Sequence, residues 1–282
     1  MSEHREIDIL FQDAEHAVCT HQIDGFIVDP GPESSAGRLF EALGDEQPRG
    51  VLLTHIHLDH AGAAGALVRR WPDLEVWVHK NGAKHVIDPS RLVASATRIY
   101  GDAMERLWGQ IVPVPEANVR ILDETDPARP APAGLRWAWT PGHAIHHVAY
   151  LHEDSGIAFA GDVAGVRIGD GPILPPTPPP DIDVGAWHRS IDLLERWDPA
   201  ALAITHYGTF TDAADHLATL HGELDRWAQV ARREDQDGFE RAIRASLAGT
   251  SEEHGYLKAM PPETLYGGLA RYWTNLDTSE SR

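Results

Sequence analysis

One cysteine, Cys19, is the entire thiol content of this chain. A single thiol forms no internal disulfide and cannot build a Cys-based zinc site, so any metal must be held by His, Asp or Glu. Lysine is almost as scarce, occurring only at 80, 84 and 258, and 24 Lys and Arg face 43 Asp and Glu for a formal net charge of −19. No Lys/Arg run offsets that charge. Such a surface repels phosphate backbones and anionic membranes, which argues against nucleic acid and membrane as partners and leaves a small-molecule substrate. No apolar run approaches the length of a membrane span. The opening MSEHREIDILFQ carries charge where a secretory signal carries an apolar core, so a cytoplasmic location is expected. Self-association into a homo-oligomer stays open.

Histidine, by contrast, is plentiful: there are 17, several in tight groups, within 282 residues that are ample for a buried core. Short apolar runs broken by Gly or polar residues predict strands at EIDILF, AVCTH, DGFIVDPG, VLLT, LEVWVH, VRIL, LRWAWT, HVAYLH, IAFAG and ALAITH. Helical spacing predicts helices from Ser34 to Leu43, from Ala61 to Trp71, over 89–108 and from Val184 to Trp197. From about Asp212 onward the chain reads as mainly helical, with DTSESR frayed at the end. The segment GDGPILPPTPPPD (169–181) is too rich in proline for helix or central strand and reads as a stiff loop. Strands mixed with helices throughout predict a layered α/β protein.

The sharpest feature is Thr54-His55-Ile56-His57-Leu58-Asp59-His60, directly after the VLLT strand. Residues two apart share a face of extended chain, so His55 and His57 can point together. Asp59 and His60 lie where the chain turns into a helix and can approach a second point nearby. Four nitrogen or oxygen donors within six residues suit zinc and similar ions. Thr140-Pro141-Gly142-His143, Ala160-Gly161-Asp162 and Thr205-His206-Tyr207-Gly208 each place one further donor at the end of a strand.

In this order, T-H-x-H-x-D-H, T-P-G-H, G-D and T-H-x-G over residues 54–208 resemble the metallo-β-lactamase fold superfamily, and FIVDPGP ahead of them resembles it too. The resemblance implies an α/β fold of the αββα type: a four-layer sandwich of two mixed β-sheets with outer helices. It implies a catalytic domain over 1–210 with a helical region, 211–282, packed on its core. It implies one metal on His55, His57 and His143, a second on Asp59, His60 and His206, and Asp162 bridging them. Two divalent ions are expected, zinc first, with iron or manganese as alternatives.

Departures from the pattern narrow the subgroup. The best-known zinc β-lactamases carry Cys where this chain has Asp162, and flavodiiron proteins carry Glu where it has His57. The set is most similar to glyoxalase II, lactonase and ribonuclease Z. The expected activity is therefore hydrolysis of a small ester, thioester or lactone by a metal-bridged hydroxide, with Asp59 accepting or relaying a proton. A phosphodiesterase or ribonuclease on the same site, a mononuclear-iron persulfide dioxygenase and a non-catalytic binding module are the competing readings.

Further residues have two readings each. Tyr207 follows a ligand and is either a donor to the developing oxyanion or a packed tyrosine. TPGHAIHH places His146 where relatives have Gly, as a substrate contact, a support for a ligand or a surface residue. Met104, Trp108 and Ile173 form either an apolar wall of the pocket or part of the core. The segment Gly171 to Asp181 is either a wall of the pocket or an external connection.

Overall fold

The structure is a computed structural model describing residues 3–126 and 132–280. One sheet runs in chain order through β1 (His4–Asp8), β2 (Cys19–Ile23), β3 (Phe26–Val28), β4 (Gly50–Leu52), β5 (Val76–His79) and β6 (Val119–Leu122). Its first three strands are antiparallel and β3 to β6 are parallel. The second sheet has β7 (Leu135–Trp139), β8 (Val148–His152), β9 (Ile157–Phe159), β10 (Ala201–Ile204) and β11 (Gly208–Phe210) in the order β11-β10-β9-β8-β7. Only the β9/β10 pair is parallel there. The helices are α1 (Ala36–Leu43), α2 (Leu58–Ala61), α3 (Ala64–Arg70), α4 (Lys80–Ile87), α5 (Ser90–Tyr100), α6 (Met104–Trp108), α7 (Val184–Trp197), α8 (Ala213–Arg233), α9 (Gln236–Leu247), α10 (Glu253–Ala259) and α11 (Tyr266–Glu280).

Alternation along the strands builds the layers. Phe26, Val28, Leu52 and Trp77 from the first sheet meet Val148, Tyr150, Phe159 and Ala203 from the second in one shared core. The residues between them face outward and are buried as well. Ile27, Val51, Leu53, Val76 and Val78 pack under the N-terminal helices. Ala149, Leu151, Leu202 and Ile204 pack under α7, α8 and the helices that follow. Sheets covered on both faces explain why these strands read as continuous apolar runs. The result is the αββα sandwich.

Several boundaries differ from the sequence reading, each for a local reason. The helix expected over 61–71 is α3, starting at Ala64, and a separate short helix, α2, ends at Ala61 before Gly62, where a Cβ would stand 2.5 Å from the Leu58 carbonyl oxygen. The 89–108 helix breaks at Gly101, whose φ of 51° ends α5. Helix α4 was hidden because its start, Lys80-Asn81-Gly82, reads as a turn; the His79 side chain caps it by accepting from Asn81 N. Strand β11, Gly-Thr-Phe, is too short to give an apolar signal. The tail expected to fray is helical to Glu280, and its last two residues lie outside the described ones. No helix among the described residues is long and apolar enough to cross a membrane.

Strands β4, β7, β9 and β10 all end at one rim, and hydrogen bonds stitch the two sheets there. Val148 N donates to Thr54 O at 2.7 Å, Cys19 N to Thr205 O at 2.7 Å, and the Tyr150 hydroxyl to Leu53 O at 2.9 Å. Tyr150 is fully buried, so Tyr150→Phe leaves the Leu53 carbonyl without that donor. The expected loss is about 1–2 kcal/mol, read as a lower urea midpoint at unchanged slope.

Candidate metal centre

The seven residues predicted from sequence meet at this rim in two groups. Donor atoms of His55, His57, His143 and Asp162 lie within 4.8 Å of one another, as do those of Asp59, His60 and His206. In the first group His57 Nδ1 is 3.0 Å from both His55 Nε2 and His143 Nε2. Asp162 Oδ2 is 3.3 Å from His143 Nε2 and 3.9 Å from His55 Nε2. Its other oxygen, Oδ1, faces the second group, 3.2 Å from His60 Nε2 and 3.6 Å from His206 Nε2. Asp59 Oδ2 closes that group at 3.4 Å from His206 Nε2 and 3.9 Å from His60 Nε2. Tetrahedral coordination with bonds of about 2.0–2.1 Å spaces donors about 3.3 Å apart, so both groups have the size of a metal's ligand shell.

The proton positions follow from what each ring's outer nitrogen touches. His143 Nδ1 faces Pro176 O at 2.9 Å and His206 Nδ1 faces Ala17 O at 2.7 Å; a carbonyl only accepts, so both nitrogens carry the proton. Thr54 Oγ1 spends its hydrogen on Asp29 Oδ2 at 2.7 Å, so His55 Nδ1, 3.1 Å away, must donate to it. His60 Nδ1 donates to Asp29 Oδ2 at 2.8 Å. Whenever one of these four rings is neutral, its Nε2 is therefore a bare lone pair aimed inward. His60 Nε2 and Asp162 Oδ1 are buried without a well-directed hydrogen-bond partner. A set of inward lone pairs and a carboxylate is the donor chemistry of a bound cation, and the residues fit one.

Asp29 organises this arrangement. Fully buried at the end of β3, its carboxylate accepts from Thr54 N at 2.8 Å, Thr54 Oγ1 at 2.7 Å, His60 Nδ1 at 2.8 Å and Thr205 Oγ1 at 2.9 Å. FIVDPGP resembles the superfamily as a strand and turn, and the Asp within it was the available signal for this role.

Electrostatics divide the histidines. Burial lowers His55 well below the ordinary histidine range, with His60 and His57 adding to it. Burial also brings His143 down to about 4. Burial opposes charge on His60 too, but Asp162, Asp59 and Asp29 override it and hold His60 well above its ordinary range. His206 is raised against burial by Asp162 and Asp59. Against burial, His60 and His206 bring Asp59 down to about 2, and His60 and His143 bring Asp162 well below the carboxylate range. In the metal-free protein the raised histidines therefore stabilise below the ordinary His range and lose that contribution as pH rises through their raised values. The two carboxylates stabilise above the ordinary Asp range and lose it as pH falls.

The remaining candidates sit elsewhere. The Tyr207 hydroxyl pairs with Asp8 and its ring lies 4.8 Å from His16, so its contacts are away from the seven. Ile173 is buried in the core under α8, beside Leu220 and Leu174, rather than lining an open wall. Trp108 is buried against Phe11 and Tyr100, and Met104 packs on the same cluster, so both are core residues first. Tyr100, which the sequence did not single out, lies close enough to Asp59 that this carboxylate, after burial, pushes its phenol up to about 12. His146 is buried, accepts from Ile56 N at 3.4 Å and lies parallel to His55, as a support behind that ring. The loop 169–181 reaches the centre through Pro176, whose carbonyl orients His143.

The Metallo-beta-lactamase superfamily profile matches residues 21–206. A metallo-beta-lactamase fold-containing protein of Sulfurisphaera tokodaii is 27% identical over 161 residues, 56% of this chain and 60% of that protein. A probable metallo-hydrolase of Bacillus subtilis is 29% identical over 137 residues, 49% of this chain and 59% of that one. A hydroxyacylglutathione hydrolase of Legionella pneumophila is 28% identical over 158 residues, 52% of this chain and 46% of the relative. The chain thus spans less than two thirds of these relatives' length. The solved structure of an archaeal metallo-beta-lactamase superfamily protein from Sulfolobus tokodaii superposes with a TM-score of 0.68 at 21% identity, covering 95% of this chain and 98% of that one, a likeness of fold.

Two outcomes follow from the centre's geometry. Asp29→Asn keeps the shape but cannot accept all four hydrogen bonds; it should cost about 3 kcal/mol in urea unfolding and weaken metal retention. Because His60 holds a proton that a cation must displace, zinc uptake at neutral pH should release protons. Titration calorimetry in buffers of different ionisation enthalpy reads this directly, and buffer-independent heats would contradict it.

Proposed function

This chain belongs to the metallo-β-lactamase superfamily, and we propose that within it the chain is a dinuclear metallo-hydrolase of a small ester, thioester or lactone, with zinc as its working metal. The observation that carries this reading is Asp162, whose two oxygens are each presented to a different group of histidines. One carboxylate shared by two ligand groups is the arrangement that seats two cations side by side. The hydroxyacylglutathione hydrolase among the relatives cleaves a thioester by its name, and a sequence of net charge −19 with only three lysines turns the reading away from polyanionic phosphodiesters.

Two cations held here would supply a water-derived nucleophile at neutral pH and an electrophile for the substrate's oxygen. The chain's own groups do the rest. The carbonyls of Pro176 and Ala17 and the Asp29 carboxylate fix the rings, so the donors need no reorganisation as charge develops. Asp59 is the more open of the two carboxylates, its side chain 20% exposed against 5% for Asp162. With Oδ2 turned to His206 and His60, its Oδ1 would be left to accept a proton from the water that the cations activate. Tyr100 on α5 is near enough to Asp59 to feel its charge, and in this reading its hydroxyl donates to a substrate oxygen. His57 is the ligand ring with some exposure in a group whose other members are buried, which puts the substrate's approach on its side.

The test is turnover on a panel of thioesters, lactones, esters and phosphodiesters by protein loaded with zinc, manganese or iron. Zinc-loaded protein should cleave at least one carbonyl substrate and leave the phosphodiesters intact. His57→Ala should lower kcat/KM on that substrate by about 100-fold or more and reduce bound metal while leaving the circular dichroism unchanged. Turnover confined to phosphodiesters, or an oxygen-consuming reaction supported by iron alone, would refute the reading.

A further inference from the structure

A second group of metal-ligating side chains lies outside this centre, where α7 meets α8. On α7, His188, Asp192 and Glu195 follow one position behind the buried stripe Trp187, Ile191 and Leu194. On α8, His221 and Asp225 follow one position behind the buried Leu220 and Leu224. The two polar rows therefore run along the same seam, and their side chains interlock. The His188 and His221 rings stack at 4.9 Å with 9° between planes, and their Nδ1 atoms are 2.6 Å apart. His188 Nε2 is 2.9 Å from Asp225 Oδ1, and His221 Nε2 is 3.4 Å from Asp192 Oδ1 and 4.0 Å from Glu195 Oε1.

The protons can be counted. Asp225 accepts from His188 Nε2, so a neutral His188 presents a lone pair at Nδ1. That lone pair faces His221 Nδ1, which must then be the donor. One proton per ring is now used, and His221 Nε2 is a lone pair looking at two carboxylates. Three acceptors from two helices face one another, all within 4.8 Å, with His221 Nε2 at 3.4 and 4.0 Å from the two carboxylates against the roughly 3.3 Å expected across a tetrahedral cation, a gap that small side-chain shifts close. Behind them, His221 donates to His188 and His188 to Asp225, the kind of outer relay that orients a metal-bound imidazole.

We propose that His221, Asp192 and Glu195 form a separate structural site for a borderline divalent cation such as zinc, oriented by His188 and Asp225, which clamps α8 to α7. An imidazole nitrogen among the donors selects zinc, cobalt or nickel over magnesium or calcium. The donors' side chains are 25%, 50% and 41% exposed, so the site loads from solution and keeps water as its remaining ligand. The clamp secures the start of the C-terminal helices, which pin the Pro-rich loop through Tyr256 on Pro172 O and through Leu265 O on Thr177.

The experiment counts metal. Chelator-stripped full-length protein is dialysed against buffered micromolar free zinc, and bound zinc is measured by mass spectrometry for the parent, His221→Ala and Glu195→Gln. The parent should hold one zinc per chain more than either variant, and zinc should raise its Tm further than theirs. Only the difference is read, so the result is independent of how many ions the His55/Asp162 centre holds. His188→Ala should keep the site but weaken zinc about 10–100-fold. Glu195→Gln alters only a half-exposed carboxylate and keeps the test valid if His221→Ala does not fold. Equal zinc content in parent and Glu195→Gln overturns the proposal.

Discussion

A single buried carboxylate holds the rim together. Asp29 ends β3 in the first sheet, yet its oxygens accept from Thr54 after β4, from His60 in α2 and from Thr205 after β10 in the second sheet. A charge in a site without water is tolerated only when its lone pairs are filled, and here the filling groups are the immediate neighbours of the candidate ligands. Thr54 precedes His55, Thr205 precedes His206, and His60 is itself one of the seven. The demand of one carboxylate for donors thus sets the positions of side chains drawn from both sheets.

The rest of the centre applies the same logic outward. Each ring whose inner nitrogen faces Asp162 or Asp59 has its outer nitrogen on an acceptor: Thr54, Pro176, Ala17 or Asp29. Those acceptors fix tautomer and orientation together. The cost appears in the charges: with no cation, His60 and His206 are driven to hold protons while His55 and His143 are driven to lose them. Neighbouring imidazoles pushed in opposite directions around two carboxylates form a site arranged for positive charge. The Pro-rich loop belongs to this scheme through the Pro176 carbonyl, and the C-terminal helices belong to it because they hold that loop.

Much of this was legible in the sequence because it depends on short-range pattern. Apolar runs of strand length, interrupted by Gly and Thr, marked the strands of both sheets, and donors at strand ends marked the rim. What escaped depends on partners distant in the chain. Asp29 meets Thr205 across a sequence separation of 176, which no local periodicity encodes. Tyr100 was one helical residue among many until the fold laid α5 near Asp59. Tyr207 adjoins a ligand in sequence, yet its ring packs on His16 and its hydroxyl pairs with Asp8. Ile173 sits in a loop that reads either as a pocket wall or as an external connection, and only the packing of the C-terminal helices settles that it is buried in the core. His188 and His221 carry no motif at all; only the packing of α7 on α8 brings them together.

The central claim is that one shared carboxylate, Asp162, seats two cations between groups of rings fixed from behind. X-ray absorption at the zinc edge of protein loaded with two equivalents of zinc tests it most directly. The account predicts nitrogen and oxygen scatterers at about 2.0–2.2 Å and a zinc–zinc vector of about 3.5–4 Å, the latter lost in Asp162→Ala. A spectrum with no zinc–zinc vector in the parent protein would contradict it.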